Sequence, residues 1–391
     1  NKDENMINKL GVKNFYSFKD GIEINFEFDG KVPKEVSKSL PSSTVLGIKG
    51  SNGSGKTNII KIIEFLKNFC AHSAEQKEKS ELDYNTFFYN QEPTEFYIDF
   101  TIGYSKYHYE VELSKSEILQ EALYRIEKKE VIIFERKLNN IIHCIDDVKE
   151  LETINLKSNA SIISTSSTYK FKSEMLDIAS VYNFFYKILT NVNNFGYFDA
   201  EYDYREAADQ YRKDPELFSF VKEIIKSADN GIKDIDILST KDDDGKDYYF
   251  PIFAHEHNDS PFDLTYHSES SGTKSLFKKL SFYWLVLKTG GILALDEFDI
   301  HIHSMILPQL VNLFINSTTN KKQAQFVFTA HNSEIIDTLG KYRTLLVNKE
   351  NNSSYCYRLD EIPGTMIRND RPITPIYLKR KIGGVPEVKE Y

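Results

Sequence analysis

The sequence predicts an α/β fold with a mixed sheet, an antiparallel β subdomain and a helical insertion. Three observations carry that prediction. A short apolar run at Val45 to Ile48 breaks into a glycine loop and then into helical spacing. A second apolar run, Ile292 to Leu295, ends in two acids. Between Glu95 and His143 lies a series of short β-type runs separated by polar turns, the rhythm of an antiparallel sheet beside a strand-helix-strand core.

In chain order, Leu10 to Phe28 alternates apolar and polar residues around Lys19-Asp20-Gly21, as a β-hairpin does. After Val45 to Ile48, the residues Ile59, Ile60, Ile62, Ile63, Phe65 and Leu66 fall at helical spacing. Phe96 to Ile102, Tyr107 to Leu113 and Val131 to Glu135 belong to the antiparallel subdomain. From about Ala160 to Ala228 the pattern is helical, clearest over Met175 to Leu189, and a Lys241-Asp242-Asp243-Asp244-Gly245 turn separates two further strand-like runs. Thr273 to Thr289 is helical, and an amphipathic helix over Met305 to Ile315 joins the strands Ile292 to Leu295 and Phe326 to Thr329. The expected divisions are 1–159 and 264–391 as the two parts of one head, with 160–263 a mainly helical insertion.

Composition bounds the function classes. With 391 residues, 40% hydrophobic and 27% charged, the chain has the material for a sizeable core. No run approaches the roughly 18 to 20 apolar residues of a membrane span, and the polar start Asn1-Lys2-Asp3-Glu4 does not resemble a signal peptide. A cytoplasmic protein without membrane contact is expected. Cys70, Cys144 and Cys356 are far apart and form no CxxC pair, so buried thiols are expected rather than disulfides or a zinc ribbon. A net charge of −9 excludes a surface that is basic throughout, but a local basic groove for DNA stays open.

The chemistry concentrates at two places. Gly50-Ser51-Asn52-Gly53-Ser54-Gly55-Lys56-Thr57 matches G-x-x-x-x-G-K-[ST] between a strand and a helix, the context the motif requires. Its glycines let main-chain N–H groups turn inward onto phosphates, helped by the helix N-terminus that continues through Asn58. Lys56 is expected on the β- and γ-phosphates and the Thr57 hydroxyl on Mg²⁺. At the second place, Asp296 and Glu297 emerge from the C-terminal end of a buried strand, where parallel sheets bind ligands. Asp296 is expected to hold Mg²⁺ and Glu297 to act as base on the attacking water. Asp299, His301 and His303 follow at once, and with the two acids they also read as a transition-metal cluster.

Three further pieces resemble one family. Ser268-Glu269-Ser270-Ser271-Gly272-Thr273-Lys274-Ser275 resembles a degenerate ABC signature with Ser271-Gly272 as its core. Phe326-Val327-Phe328-Thr329-Ala330-His331 resembles the strand and switch histidine of ABC ATPases. Lys13-Asn14-Phe15-Tyr16-Ser17-Phe18-Lys19-Asp20 resembles the first hairpin of the RecF and SMC branch. Within that branch the chain is most similar to the stand-alone RloA-like ATPases of prokaryotic defence and abortive-infection loci, through Ser-Gly-Thr-Lys-Ser, Asp-Glu-Phe-Asp-Ile-His-Ile-His and the closing Gly383-Gly384-Val385-Pro386.

The resemblance implies an ABC-type P-loop NTPase head that binds ATP and Mg²⁺. It implies a homodimer or higher homo-oligomer joined head to tail, in which Ser271 and Gly272 of one copy cap the nucleotide of the other, with His331 at the γ-phosphate. Ser271 also reads as an ordinary helix cap, and His331 as a structural histidine. Gln91 is the candidate for the family's Mg²⁺-contacting glutamine, and it equally suits an exposed turn. Thr273, Lys274 and His303 depart from the transporter pattern. With 60 residues after His331 and no long heptad pattern, neither a fused nuclease nor a coiled-coil tether is expected. A separate effector, a nuclease or other toxin, is expected on the insertion or the tail. The alternatives are a RecF-like ATPase clamping DNA through Lys274, Lys278 and Lys279, and a scaffold that does not hydrolyse ATP.

Overall fold

The structure is a computed structural model that describes residues 5–198, 203–241, 244–364, 367–368 and 372–385. Asp242 and Asp243 of the expected turn, Pro386 of the closing motif and the first four residues lie outside them.

From the N-terminus, β1 (Asn5–Lys13) and β2 (Ile22–Asn25) form the expected hairpin, followed by one helical turn, α1 (Lys34–Ser37). β3 (Val45–Gly50) leads through the glycine loop into α2 (Lys56–His72). The meander β4 (Thr94–Ile102), β5 (Ser105–Leu113), β6 (Ile118–Ile126), β7 (Glu130–Lys137) and β8 (Asn140–Cys144) is antiparallel throughout. Next come α3 (Ile162–Ser166), α4 (Leu176–Tyr186), the short β9 (Leu189–Thr190) and a small hairpin, β10 (Val192–Asn193) with β11 (Gly196–Tyr197). α5 (Tyr204–Lys213) and α6 (Pro215–Ala228) precede β12 (Ile232–Lys241), β13 (Asp247–His257) and β14 (Ser260–Thr265). The chain closes with α7 (Ser271–Thr289), β15 (Ile292–Leu295), α8 (Leu307–Ile315), β16 (Gln325–Thr329), α9 (Ile335–Leu339), β17 (Thr344–Glu350), β18 (Ser353–Arg358) and α10 (Thr374–Leu378).

Among the described residues the central sheet has the order β18-β17-β3-β16-β15-β9, parallel except for β18. Its strands are apolar on both faces because both faces are covered. Leu46, Ile48, Ala294, Val327, Leu345 and Val347 point into a core shared with α2, α4 and the meander. Their alternates Val45, Leu293, Phe326 and Phe328 point into a second core with α6, α7 and α8, as the two-residue period of a strand demands.

Within the stretch 160–263, two parts behave differently. α4 packs against α2, with Phe184 and Phe185 in the first core, and β9 pairs with β15 at the edge of the central sheet. α5, α6 and the β12-β13-β14 sheet pack instead around α7. Cys70 is buried, whereas Cys144 and Cys356 are half-buried, so the expectation of buried thiols holds fully for Cys70.

The meander is tied to the following segment by a buried ion pair. Arg136 and Glu121 are both fully buried, and the guanidinium also donates to the carbonyls of Leu138 (2.7 Å), Lys157 (3.1 Å) and Ala160 (2.9 Å). Glu121 accepts from Tyr109 (2.9 Å) and from the Ile162 amide (3.1 Å). Burial pushes the Glu121 pKa up and the Arg136 pKa down, each charge opposing the effect on the other. Removing one partner strands a buried charge, which costs about 3–5 kcal/mol, whereas replacing both by apolar groups is often near neutral. Urea unfolding should therefore show a loss of that size for Glu121→Ala and a clear recovery in Glu121→Leu/Arg136→Met.

Candidate functional site

β3, β16 and β15 are neighbours and parallel, so their C-terminal ends meet at one edge. The glycine loop leaves β3 there. A side chain at Gly50 would put its Cβ 2.4 Å from the Val347 carbonyl and 2.5 Å from Ser54 Oγ, so the close approach of β17 requires glycine. Gly55 has φ 109°, and a Cβ there would meet the hydroxyls of Ser17 and Ser354, each at 2.8 Å. These hydroxyls brace the loop from outside. Asn58 Nδ2 donates to Ser17 Oγ (2.8 Å), and Ser354 Oγ donates to the Ser54 carbonyl (2.6 Å). Ser51, Asn52 and Gly53 form the rim, with Asn52 and Gly53 exposed.

Lys56 folds back over the loop, donating to the carbonyls of Gly50 (3.0 Å) and Ser51 (2.9 Å). Burial lowers its pKa, and the charges of Asp296, Glu297 and Asp299 oppose that. One residue on, Thr57 Oγ1 donates to Asp296 Oδ2 at 2.8 Å. The other oxygen of Asp296 accepts from Thr329 Oγ1 at 2.6 Å. Burial raises the Asp296 pKa against these bonds. A hydroxyl and a carboxylate meeting beside the glycine loop form an oxygen-donor set suited to Mg²⁺, so Thr57 and Asp296 are the residues that fit the ion.

Glu297 has φ 48°, a left-handed backbone that a glutamate adopts at a cost and that recurs at active sites. Its amide donates to Thr329 Oγ1 (2.8 Å), and Phe298 behind it is buried against Phe326 and Phe328. The Glu297 carboxylate then lies 3.1 Å from His331 Nε2 across the site.

Asn191, immediately after β9, holds the main chain of Asp296 from both sides: its Oδ1 accepts the Asp296 amide (2.7 Å) and its Nδ2 donates to the Asp296 carbonyl (2.9 Å). Sequence reasoning missed it, along with Thr329, Ser17 and Ser354. Gln91 is exposed in the turn before β4, whose hydrogen bonds run through Asn90 and Asn14, and it makes none to Thr57 or Asp296.

At the signature-like segment the helix cap is Ser270, whose hydroxyl accepts from the Thr273 amide (3.1 Å); Ser271 is the first helical residue and is exposed. Gly272 lies against the His301 carbonyl, where a Cβ would come to 3.0 Å. No hydrogen bond among the described residues joins Ser271 or Gly272 to the glycine loop of the same chain. Glu269 beneath them is buried and bonded to His255 (2.6 Å). The metal-cluster reading of the acidic loop gains no support. Asp299 Oδ2 accepts the amides of His331 and Asn332, and His303 Nδ1 accepts the Met305 amide. Among the described residues no three such side chains converge. Of the three signature-helix lysines, Lys274 donates to the His267 carbonyl (2.8 Å), while Lys278 and Lys279 line a small apolar cavity beside Glu297. No described helix is long and apolar enough to cross a membrane.

A central parallel sheet with a phosphate loop, paired acids on the strand two places away, a histidine between them and an antiparallel subdomain on the first core define the fold of an ABC-type P-loop NTPase head. Residues 45–337 match the family described as "AAA domain, putative AbiEii toxin, Type IV TA system", and the chain belongs to that family. No curated protein matches it. Among solved structures it is similar to the SMC head domain from Thermotoga maritima, at 14% identity and TM-score 0.43 over 90% of this chain and 98% of that one. It is also similar to an Smc head bound to the C-winged helix domain of ScpA, at 13% and 0.48 over 90% and 96%. A third is the Smc head domain with an extended coiled coil bound to the C-terminal domain of ScpA derived from Pyrococcus furiosus, at 14% and 0.47 over 91% and 97%.

Proposed function

We propose that the chain binds and hydrolyses ATP with Mg²⁺, acts as a nucleotide-driven switch between two copies of itself, and controls a separate effector protein in anti-phage defence. The observation that carries the hydrolytic part is the 3.1 Å contact between Glu297 and His331 beside the Thr57–Asp296 pair. In this reading the loop amides from Ser51 to Thr57 and the Lys56 ammonium bind the phosphates, Lys56 exchanging its two carbonyl bonds for phosphate oxygens. Thr57 and Asp296 would hold Mg²⁺, which when bound would supply neutralisation of phosphate charge. Glu297 takes a proton from the attacking water, and His331 orients the carboxylate and donates toward the γ-phosphate.

The proposal of a second copy rests on Ser271 and Gly272. Ser271 opens a 19-residue helix with its side chain exposed and unbound to its own glycine loop, so its amide end is free to face another chain's phosphates. Effector control draws on the toxin and toxin–antitoxin wording of the family description and on the resemblance to the RloA-like ATPases. A partner is switched only if its affinity differs between the ATP and ADP states.

Glu297→Gln should keep nucleotide affinity and lose turnover by at least about 100-fold, since an amide cannot accept the proton, while Lys56→Ala should weaken binding itself. Steady-state phosphate release and equilibrium titration with a fluorescent ATP analogue separate the two. Turnover by Glu297→Gln at the unmodified rate refutes the assignment of the base. For the effector, the Glu297→Gln chain loaded with ATP or with ADP is the bait in native lysate. One co-encoded protein should be recovered several-fold more in one state; equal recovery rules out a switch.

A further inference from the structure

The turn Ala330 to Asn332, which carries His331, is held by two side chains from distant parts of the chain. Lys49 Nζ donates to the carbonyls of Ala330 (2.6 Å), His331 (2.9 Å) and Asn332 (3.0 Å), using all three ammonium protons. From the opposite side Asp299 Oδ2 accepts the amides of His331 and Asn332, both at 2.8 Å. Five main-chain groups of three consecutive residues are thus fixed by one cation and one anion.

Placement makes this more than loop packing. Lys49 is the residue before Gly50, at the end of the strand that becomes the phosphate loop, and Asp299 is two residues after Glu297. Lys49 is 2% exposed, covered on one side by Tyr377 of α10. Burial pushes its pKa down to about 8, with the Asp299 charge acting the other way. A lysine in the middle of a sheet core carries a desolvation penalty that an apolar residue would avoid. Other loops are held by a lysine too, as Lys157 holds the carbonyls of Ala74 and Gln76, but Lys49 does so from the strand that becomes the phosphate loop. What the lysine adds is a rigid link from the phosphate-loop strand to the histidine turn.

We infer that Lys49 and Asp299 are positioning residues for the Glu297–His331 pair, together setting where the imidazole sits when the phosphate loop is filled. This rests on the hydrolytic reading given above. Neither side chain touches the reacting atoms; each acts through the turn.

The test is a double-mutant cycle on the full chain with MgATP: Lys49→Met and Asp299→Ala, each alone and each combined with His331→Ala. Acting through His331, each should lower kcat by about 10- to 100-fold with affinity for a fluorescent ATP analogue changed less than about 3-fold. In the His331→Ala background each should add less than about 2-fold. Equal factors in both backgrounds, or a loss confined to affinity, overturn the inference. Asp299 is half-buried, so its variant keeps the test open should Lys49→Met fail to fold. Amide hydrogen exchange at His331 and Asn332 gives a readout independent of turnover. Exchange should accelerate several-fold in Asp299→Ala, and unchanged protection overturns the clamp. Absence of turnover in the unmodified chain would refute the hydrolytic reading, leaving the exchange result to decide the clamp.

Discussion

Parallel pairing of β3, β16 and β15 aligns Ile48 with Thr329 and Leu295 with Phe328, and each chemical group at the site is placed by that register. Ser51, Ala330 and Asp296 are the next residues out of the three strands, so the phosphate loop, the histidine turn and the paired acids emerge side by side. A shift of one residue in β16 would turn Phe326 and Phe328 from the second core into the first, where the space is already filled, and would move Ala330 and His331 away from the acids that follow β15. The two-sided core that stabilises the sheet is therefore also what aligns the chemistry.

Charge is spread through this edge in an alternating way. Three carboxylates, Asp296, Glu297 and Asp299, share this edge with two lysines whose pKa values burial lowers; all three oppose that at Lys56, and Asp299 alone opposes it at Lys49. The two lysines have different tasks. Lys49 is fully engaged by carbonyls of the histidine turn and stays with the scaffold. Lys56 is engaged by carbonyls of its own loop, bonds that a phosphate oxygen replaces at little cost because a charged acceptor is the stronger one.

Much of this was legible locally. The glycine loop, Asp296-Glu297 and His331 each follow an apolar strand within a few residues, and strand-then-loop is a signal that a short window of sequence contains. The meander was legible for the same reason. What stayed hidden depends on contacts between distant segments. Asn191 acts on Asp296 across 105 residues, and Ser354 braces Ser54 across 300. No periodicity announces an asparagine after a two-residue strand such as β9. Lys49 was passed over because a lysine beside a glycine loop looks solvated until the turn after β16 is folded over it. The cap at α7 slipped by one residue because Ser270 and Ser271 are chemically alike, and only the hydroxyl bond to Thr273 separates them.

The central claim is that the ATP site is completed by a second copy through the exposed N-terminus of α7. Sedimentation velocity of the Glu297→Gln chain tests it most directly. In saturating MgATP the species should have twice the single-chain mass, returning to the single mass in MgADP and staying there in MgATP when Ser271→Arg is added. A single-chain mass in MgATP, or a doubled mass indifferent to nucleotide and to Ser271→Arg, would contradict the claim.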